Sequence, residues 1–116
     1  MRRQFLSLLV ATTAACQGKA DPFKTAQTPA DMKTAIGTEV PMGTPSDSAA
    51  RILERHGFKC ELKTNASFEG RDHLTYEYCD RSDNAGGSVS RRWQVALLVD
   101  SEHVADVLVT TGLIGP

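Results

Sequence analysis

The stretch GTPSDSAARILERHGFKCEL, residues 43–62, decides the fold because it holds a whole helix and the start of a strand. Thr44 is a typical N-cap, and Pro45 suits the first helical position, where a missing N–H costs no hydrogen bond. Gly57 suits the left-handed position that ends a helix. The spacing therefore predicts a helix over residues 45–56, with its apolar face formed by Ala49, Ile52 and Leu53.

Alternation of apolar and polar residues predicts four strands after this helix, over residues 58–62, 74–78, 92–99 and 103–110. Residues 64–72 and 80–90 are rich in Gly, Asn and Asp and indicate surface loops, and residues 100–102 form a turn. The inward residues are Phe58, Cys60 and Leu62, then Leu74, Tyr76 and Tyr78, then Trp93, Val95, Leu97 and Val99.

A lone sheet must bury one face, so we expect the helix to cover it. The fold class is α+β, with one or two helices packed on a three- to four-stranded antiparallel sheet. Residues 41–116 form this domain. Residues 16–40 carry many small polar residues and read as a lipidated N-terminus and tether, in which a short helix starts at Thr28-Pro29 and ends at Gly37.

The first 15 residues have the plan of a secretory signal peptide. Arg2 and Arg3 precede an apolar run over residues 5–11, and small residues follow. That run is too short to span a bilayer, which needs about 20 residues. The alternative is that residues 5–15 form a core helix.

The small residues before Cys16 resemble the bacterial lipobox, in which the cysteine takes a diacylglycerol and then a fatty acid such as palmitate. Gln17 after the cysteine implies sorting to the outer membrane, with the protein anchored on its periplasmic face. The alternative is ordinary cleavage after Ala20, which would release a soluble periplasmic protein.

With Cys16 assigned to lipid, Cys60 and Cys79 remain and can form a disulfide in an oxidising compartment. They flank a hairpin centred on Glu69-Gly70. Simple alternation places Cys60 on the inward face of its strand but Cys79 on the outward face of the next, since Tyr76 and Tyr78 are predicted inward. The bond therefore requires a bulge, or a Cys79 that lies beyond the strand end. The alternative is a redox-active pair, although such pairs usually have C-x-x-C spacing.

Composition excludes several functions. After the leader, 11 basic and 14 acidic residues remain, whereas nucleic-acid binding needs many Lys and Arg contacts. His56, His73 and His103 lack the short spacings of zinc ligands, and the chain has no G-x-S-x-G element. We therefore expect neither an enzyme nor a metal, and no cofactor apart from the covalent lipid. His56 instead suits the carboxyl end of the helix.

The candidate partner-binding residues are aromatic or basic: Tyr76, Tyr78, Trp93, Arg91 and Arg92. We expect an aromatic patch that the helix leaves uncovered. Arg81, Arg91 and Arg92 could bind phosphate or a partner's carboxylates, but charge balance with Asp80 and Asp83 is the simpler interpretation.

Four features carry a resemblance to a known family: the leader, the Gly43-Thr44 element, a helix with Leu53 and Gly57 near its end, and a late antiparallel sheet. In these features the chain resembles the small outer-membrane lipoproteins of the BamE (SmpA/OmlA) family. The resemblance covers about residues 41–110. It implies two helices on a three-stranded antiparallel sheet and a role in outer-membrane barrel assembly. We expect a non-catalytic envelope lipoprotein that binds an envelope protein complex or supports the envelope. A soluble ligand-binding or inhibitor module is the alternative.

Overall fold

Helices come first along the chain and strands follow. The computed structural model describes residues 20–115, so the predicted signal peptide and Cys16 lie outside the described residues. The helices are α1 (Pro22–Thr25), α2 (Pro29–Glu39) and α3 (Ser46–Arg55). The strands are β1 (Lys59–Phe68), β2 (Arg71–Gly86), β3 (Val89–Asp100) and β4 (His103–Ile114). They form one antiparallel sheet in the order β1-β2-β3-β4, which confirms the α+β fold class.

The carboxyl end of α3 follows the prediction. Gly57 has φ +92°, and its N–H donates to the carbonyl of Glu54 at 3.0 Å. The N–H of Phe58 donates to the carbonyl of Leu53 at 3.2 Å, and both side chains are buried in the core. These two hydrogen bonds are those of a Schellman motif.

The start of α3 differs from the prediction by one residue. The helix begins at Ser46, and Thr44 does not cap it. The hydroxyl of Thr44 instead donates to the carbonyl of Pro41 at 2.6 Å. Its own carbonyl accepts from the N–H of Val104 at 2.8 Å, so the backbone of Thr44 is hydrogen-bonded to β4.

The prediction of a tether up to residue 40 is wrong, because the domain begins before α1. The side chains of Phe23, Met32, Ile36 and Val40 are buried in the main core. Thr28 accepts a hydrogen bond from the N–H of Asp31 at 3.1 Å and caps α2 as expected. Gly37 does not end α2. Because apolar residues recur at helical spacing through Ile36, α2 is fixed by packing and continues to Glu39.

The predicted loops 64–72 and 80–90 are also wrong, because both are long hairpins with two-residue turns. The turns lie at Glu69-Gly70 and at Gly87-Ser88. Glu69 and Gly70 have φ +52° and +78°, the left-handed values that a type I′ turn requires. In the second hairpin polar residues pair with polar residues of the next strand, as Ser82 does with Arg92. In the first hairpin the side chains of Ser67 and Asn65 lie within hydrogen-bond distance of Asp72 and His73. Such cross-strand contacts stabilise strands that hydrophobicity alone does not reveal. The predicted turn between β3 and β4 is confirmed at Ser101-Glu102.

The helices of residues 20–115 cover one face of the sheet, which we call the covered face. Its buried strand residues are Cys79, Trp93, Val95, Leu97, Val104 and Val107, and they pack against the buried residues of all three helices. Of the predicted row Trp93, Val95, Leu97 and Val99, the first three are confirmed as buried in the main core, whereas Val99 is half-buried.

The disulfide between Cys60 and Cys79 is confirmed, and the two residues lie directly opposite each other in the β1–β2 pairing. No bulge is needed, because both cysteines belong to the covered face while Tyr76 and Tyr78 point to the other. The prediction that Leu74, Tyr76 and Tyr78 face the helix is therefore wrong. Leu62, expected inward, is 57% exposed.

Candidate binding face of the sheet

The second face of the sheet carries its own apolar cluster, which we call the open face. Its buried members are Phe68, Tyr76, Ala96 and Leu98, and its partly buried members are Ala66, Leu74, Tyr78 and Leu108. All eight come from strands. Within residues 20–115, no helical residue belongs to this cluster.

The strand register brings these residues together. On β2, Tyr76 pairs with Leu98 and Tyr78 pairs with Ala96. Cys79 pairs with Val95 and lies on the opposite face of the strand from the two tyrosines. Ala96 in turn pairs with Leu108 on β4. Side chains of directly paired residues lie on the same face, and this row therefore continues across three strands.

Two irregularities in β1 shape one end of the open face. The register shifts between Lys63 and Ala66 and again between Ala66 and Phe68. Bulges bend a strand and increase its twist. Phe68 meets the ring of Tyr76 edge-on, with the ring centres 5.7 Å apart. The Tyr76 hydroxyl donates to the carbonyl of Ser67 at 2.7 Å, so this buried ring has its polar atom satisfied.

A depression of about 470 Å³ lies between this aromatic pair and β4. Its floor includes a chain of polar side chains across three strands. Gln94 donates to the hydroxyl of Tyr78 at 2.6 Å, and Thr110 lies 3.4 Å from the amide oxygen of Gln94. The depression is open to solvent and amphipathic, with aromatic walls and hydrogen-bonding groups at its base.

Charged side chains border the open face on both sides. Lys63 lies 2.7 Å from Glu61, and the hydrogen bond and negative charge of Glu61 raise the pKa of this lysine. The same ammonium is 5.9 Å from the centre of the Tyr78 ring. At the other border, Arg92 binds Asp80 at 3.0 Å, and this hydrogen bond raises the pKa of the guanidinium. A polar border around an apolar centre is the usual anatomy of a protein interface.

The structure divides the five predicted partner-binding residues between the two faces. Tyr76, Tyr78 and Arg92 belong to the open face. Trp93 is only 1% exposed and lies in the main core. Arg91 has its guanidinium carbon 5.8 Å from the centre of the Trp93 ring. Tyr76 is only 4% exposed, so a direct contact with a partner is open to Tyr78 and Arg92, and not to Tyr76 or Trp93.

Charge balance accounts for Arg81 and Arg92, as the simpler interpretation predicted. Arg81 is an internal link between the helices and the sheet. It donates to both carboxylate oxygens of Asp83, at 2.8 and 2.9 Å. It also donates to the carbonyls of Phe23 at 2.7 Å and His56 at 3.1 Å.

His56 contacts residues of α1 and α2 from the end of α3. Its ring stacks on Phe23 with 3.7 Å between the ring centres. Its Nε2 atom lies 3.0 Å from a carboxylate oxygen of Glu39, and Nδ1 lies 3.9 Å from Asp21. His56 therefore joins α1, α2 and α3, which extends the predicted role at the helix end.

Sequence reasoning missed Phe68, Leu98 and Leu108 as members of the open face. The signal was present in β3, where residues 95–99 are apolar without interruption. A continuous apolar run indicates a strand with both faces buried. Phe68 was missed because its hairpin was assigned to a loop.

No family model, curated protein or solved structure matches the chain. Within the described residues, no helix is long and apolar enough to cross a membrane. The same residues contain no group of three or more His, Cys, Asp or Glu side chains placed to hold a metal ion.

Proposed function

We propose that this protein is a non-catalytic lipoprotein of the bacterial envelope that binds a protein partner through the open face of its sheet. A diacylglycerol on Cys16 holds it at the periplasmic face of the outer membrane. The observation that carries the binding role is the apolar cluster of Phe68, Tyr76, Tyr78 and their neighbours, which no described helix covers. Its partly buried members, Ala66, Leu74, Tyr78 and Leu108, leave apolar atoms at the surface. An apolar surface with a polar border is typical of a protein-binding site.

The cysteines support the envelope location. Cys60 and Cys79 are bonded to each other, and this bond fits an oxidising compartment. It leaves Cys16 as the third cysteine of the chain, directly after the small residues of the leader. The order of helices followed by an antiparallel sheet fits a relationship with the BamE family. The sheet has one strand more than that resemblance implies.

Anchoring is tested by labelling cells with a radioactive fatty acid. The wild-type protein should take up label and fractionate with the outer membrane, and Cys16→Ser should do neither. An unlabelled protein in the soluble periplasm with Asp21 at its N-terminus would overturn the anchor. It would support the alternative, a soluble binding or inhibitor module.

Partner binding is tested with a photo-crosslinking amino acid at position 78 in living cells. Position 75 is the matched control, because Thr75 is an exposed residue of the same strand that points to the opposite side of the sheet. We expect a discrete adduct from position 78 only, which Leu108→Glu in the same chain should abolish. Equal adducts from both positions, or none from position 78, would contradict binding through the open face.

A further inference from the structure

The outer edge of β4 is the starting observation. β4 lies at one edge of the sheet, and within the described part of the chain only its first residues have a backbone partner beyond β3. Gly43 donates to the carbonyl of Val104 at 2.8 Å, and Val104 donates to Thr44 at 2.8 Å. Pro45 forms an isolated bridge with His103. Beyond these contacts, no described strand pairs with the outer edge of β4. A free strand edge is a template for pairing with another strand.

The two edges of the sheet differ in how they resist such pairing. β1 carries Lys59, Glu61 and Lys63, and its register is broken twice by bulges. Charges and bulges are the usual protections of an edge strand. The last part of β4, residues 107–114, reads VLVTTGLI and contains neither a charge nor a proline. It also holds Leu113 and Ile114, which are 61% and 47% exposed.

We infer that β4 pairs antiparallel with β4 of a second copy of this chain, about a twofold axis at Thr111. In this register Val109 lies opposite Leu113 of the second copy, and Leu108 lies opposite Ile114 of the second copy. Each exposed apolar residue thus gains an apolar neighbour on its own face of the sheet. Because the segment is uncharged, no like charges meet across the axis.

The register is selected by alternation. Paired residues must lie on the same face, so the axis must pass through a residue and not between two residues. An axis at Thr110 would place Asp106 opposite Ile114 of the second copy and leave Leu108 opposite Gly112. The axis at Thr111 avoids both mismatches.

Such a dimer is isologous, as closed twofold dimers are. The two sheets join into one sheet of eight strands, with the open faces of both copies on the same side. This inference goes beyond the proposed function, because it requires neither the lipid nor a partner protein.

Single cysteine substitutions in the full Cys16→Ser chain, exported and oxidised, test the register. Thr111→Cys should form a disulfide-linked dimer, because directly opposite residues have Cβ atoms about 5 Å apart. Leu113→Cys is more exposed but should link poorly. In the proposed dimer the two Leu113 positions are four residues apart along the paired strands, or about 13 Å. Leu62→Cys on β1 is the control for random collision, because Leu62 is comparably exposed. Equal linking at all three positions would overturn the register.

The molar mass of the Cys16→Ser chain in solution tests the dimer itself. Light scattering should give the mass of two chains, and Leu113→Lys should give one. Leu62→Lys should stay dimeric, and circular dichroism should show that both variants are folded. A single-chain mass for the parent protein, or dissociation by Leu62→Lys and not by Leu113→Lys, would refute pairing through β4. Because neither assay uses lipid or partner, failure here would leave the proposed function standing.

Discussion

The two faces of the sheet are both apolar, yet they are apolar in different ways. The covered face packs Trp93, Val95 and Leu97 under three helices. The open face packs tyrosines and leucines against one another. The hydroxyls of the two tyrosines are hydrogen-bonded, that of Tyr76 to Ser67 and that of Tyr78 to Gln94. Substitutions on the covered face should therefore affect stability, whereas those on the open face should affect recognition.

The largest expected effect is that of Trp93→Ala on the covered face. Removing a buried Trp leaves a cavity and costs about 3–5 kcal/mol. Urea unfolding monitored by circular dichroism should show this loss. The matched control is Leu108→Ala on the open face, which should cost markedly less. Equal losses would mean that the two faces contribute alike to the fold.

Loss of the disulfide should come next. Cys60 and Cys79 are separated by 19 positions, and a loop of that size is worth about 3 kcal/mol in the loop-entropy model. The double variant Cys60→Ser, Cys79→Ser should unfold at lower urea by the corresponding amount. Wild-type protein under reducing conditions is the control and should match the variant. An unchanged unfolding midpoint in both would rule out a stabilising role for this bond.

Replacing Arg81 should have an intermediate effect. Arg81→Met removes the cation–π contact with Phe58 and the hydrogen bonds to Asp83 and to the carbonyls of Phe23 and His56. A loss of about 1–3 kcal/mol is expected, because hydrogen bonds from a charged donor are among the stronger ones. Hydrogen exchange should localise the change to α1 and the end of α3. Arg92→Met is the control, and an equal response there would argue against a special role for Arg81.

On the open face, Tyr78→Ser should change stability by less than about 1 kcal/mol, because its ring is only partly buried. With the photo-crosslinking amino acid placed at position 108 instead of 78, Tyr78→Ser should nevertheless abolish the adduct with the partner. Thr75→Ser on the same strand is the control. Retention of the adduct in the Tyr78 variant would remove this tyrosine from the binding site.

The smallest effect concerns Glu77, which lies on β2 near α3. Burial, followed by the negative charges of Glu54 and Asp47, raises the pKa of this carboxyl. The folded state therefore holds the proton more tightly than the unfolded state, and Glu77 lowers stability as the pH rises through its folded pKa.

Glu77→Gln should accordingly raise the free energy of unfolding at pH 7 by no more than about 0.5 kcal/mol, because solvent screens this partly exposed carboxyl. The gain should vanish near pH 3, below the ordinary pKa of about 4.3, where both states carry the proton. Thermal unfolding at the two pH values measures it, with the exposed turn residue Glu69→Gln as control. A gain that persists at pH 3 would show that the effect is not electrostatic.

The sequence allowed α3 and its ending at Gly57 to be predicted, because capping and apolar spacing are local signals. The disulfide could also be predicted from cysteine number and hairpin position. The long hairpins could not, since their strands are stabilised by cross-strand polar pairs such as Asp80 with Arg92. The face of Tyr76 and Tyr78 was assigned wrongly, because two apolar faces make alternation ambiguous. The direct pairing of Cys60 with Cys79 shows which face the tyrosines occupy, because Tyr78 must lie on the opposite side from its neighbour Cys79.

The early start of the folded domain has a consequence for where the protein can act. Asp21 caps α1, so only four residues separate it from Cys16. A chain of that length reaches at most about 18 Å, whereas a tether lasting to residue 40 would reach about 80 Å. With the proposed lipid on Cys16, the domain stays beside the bilayer and moves with it in two dimensions. Its partner must then come to the membrane surface, or already reside there.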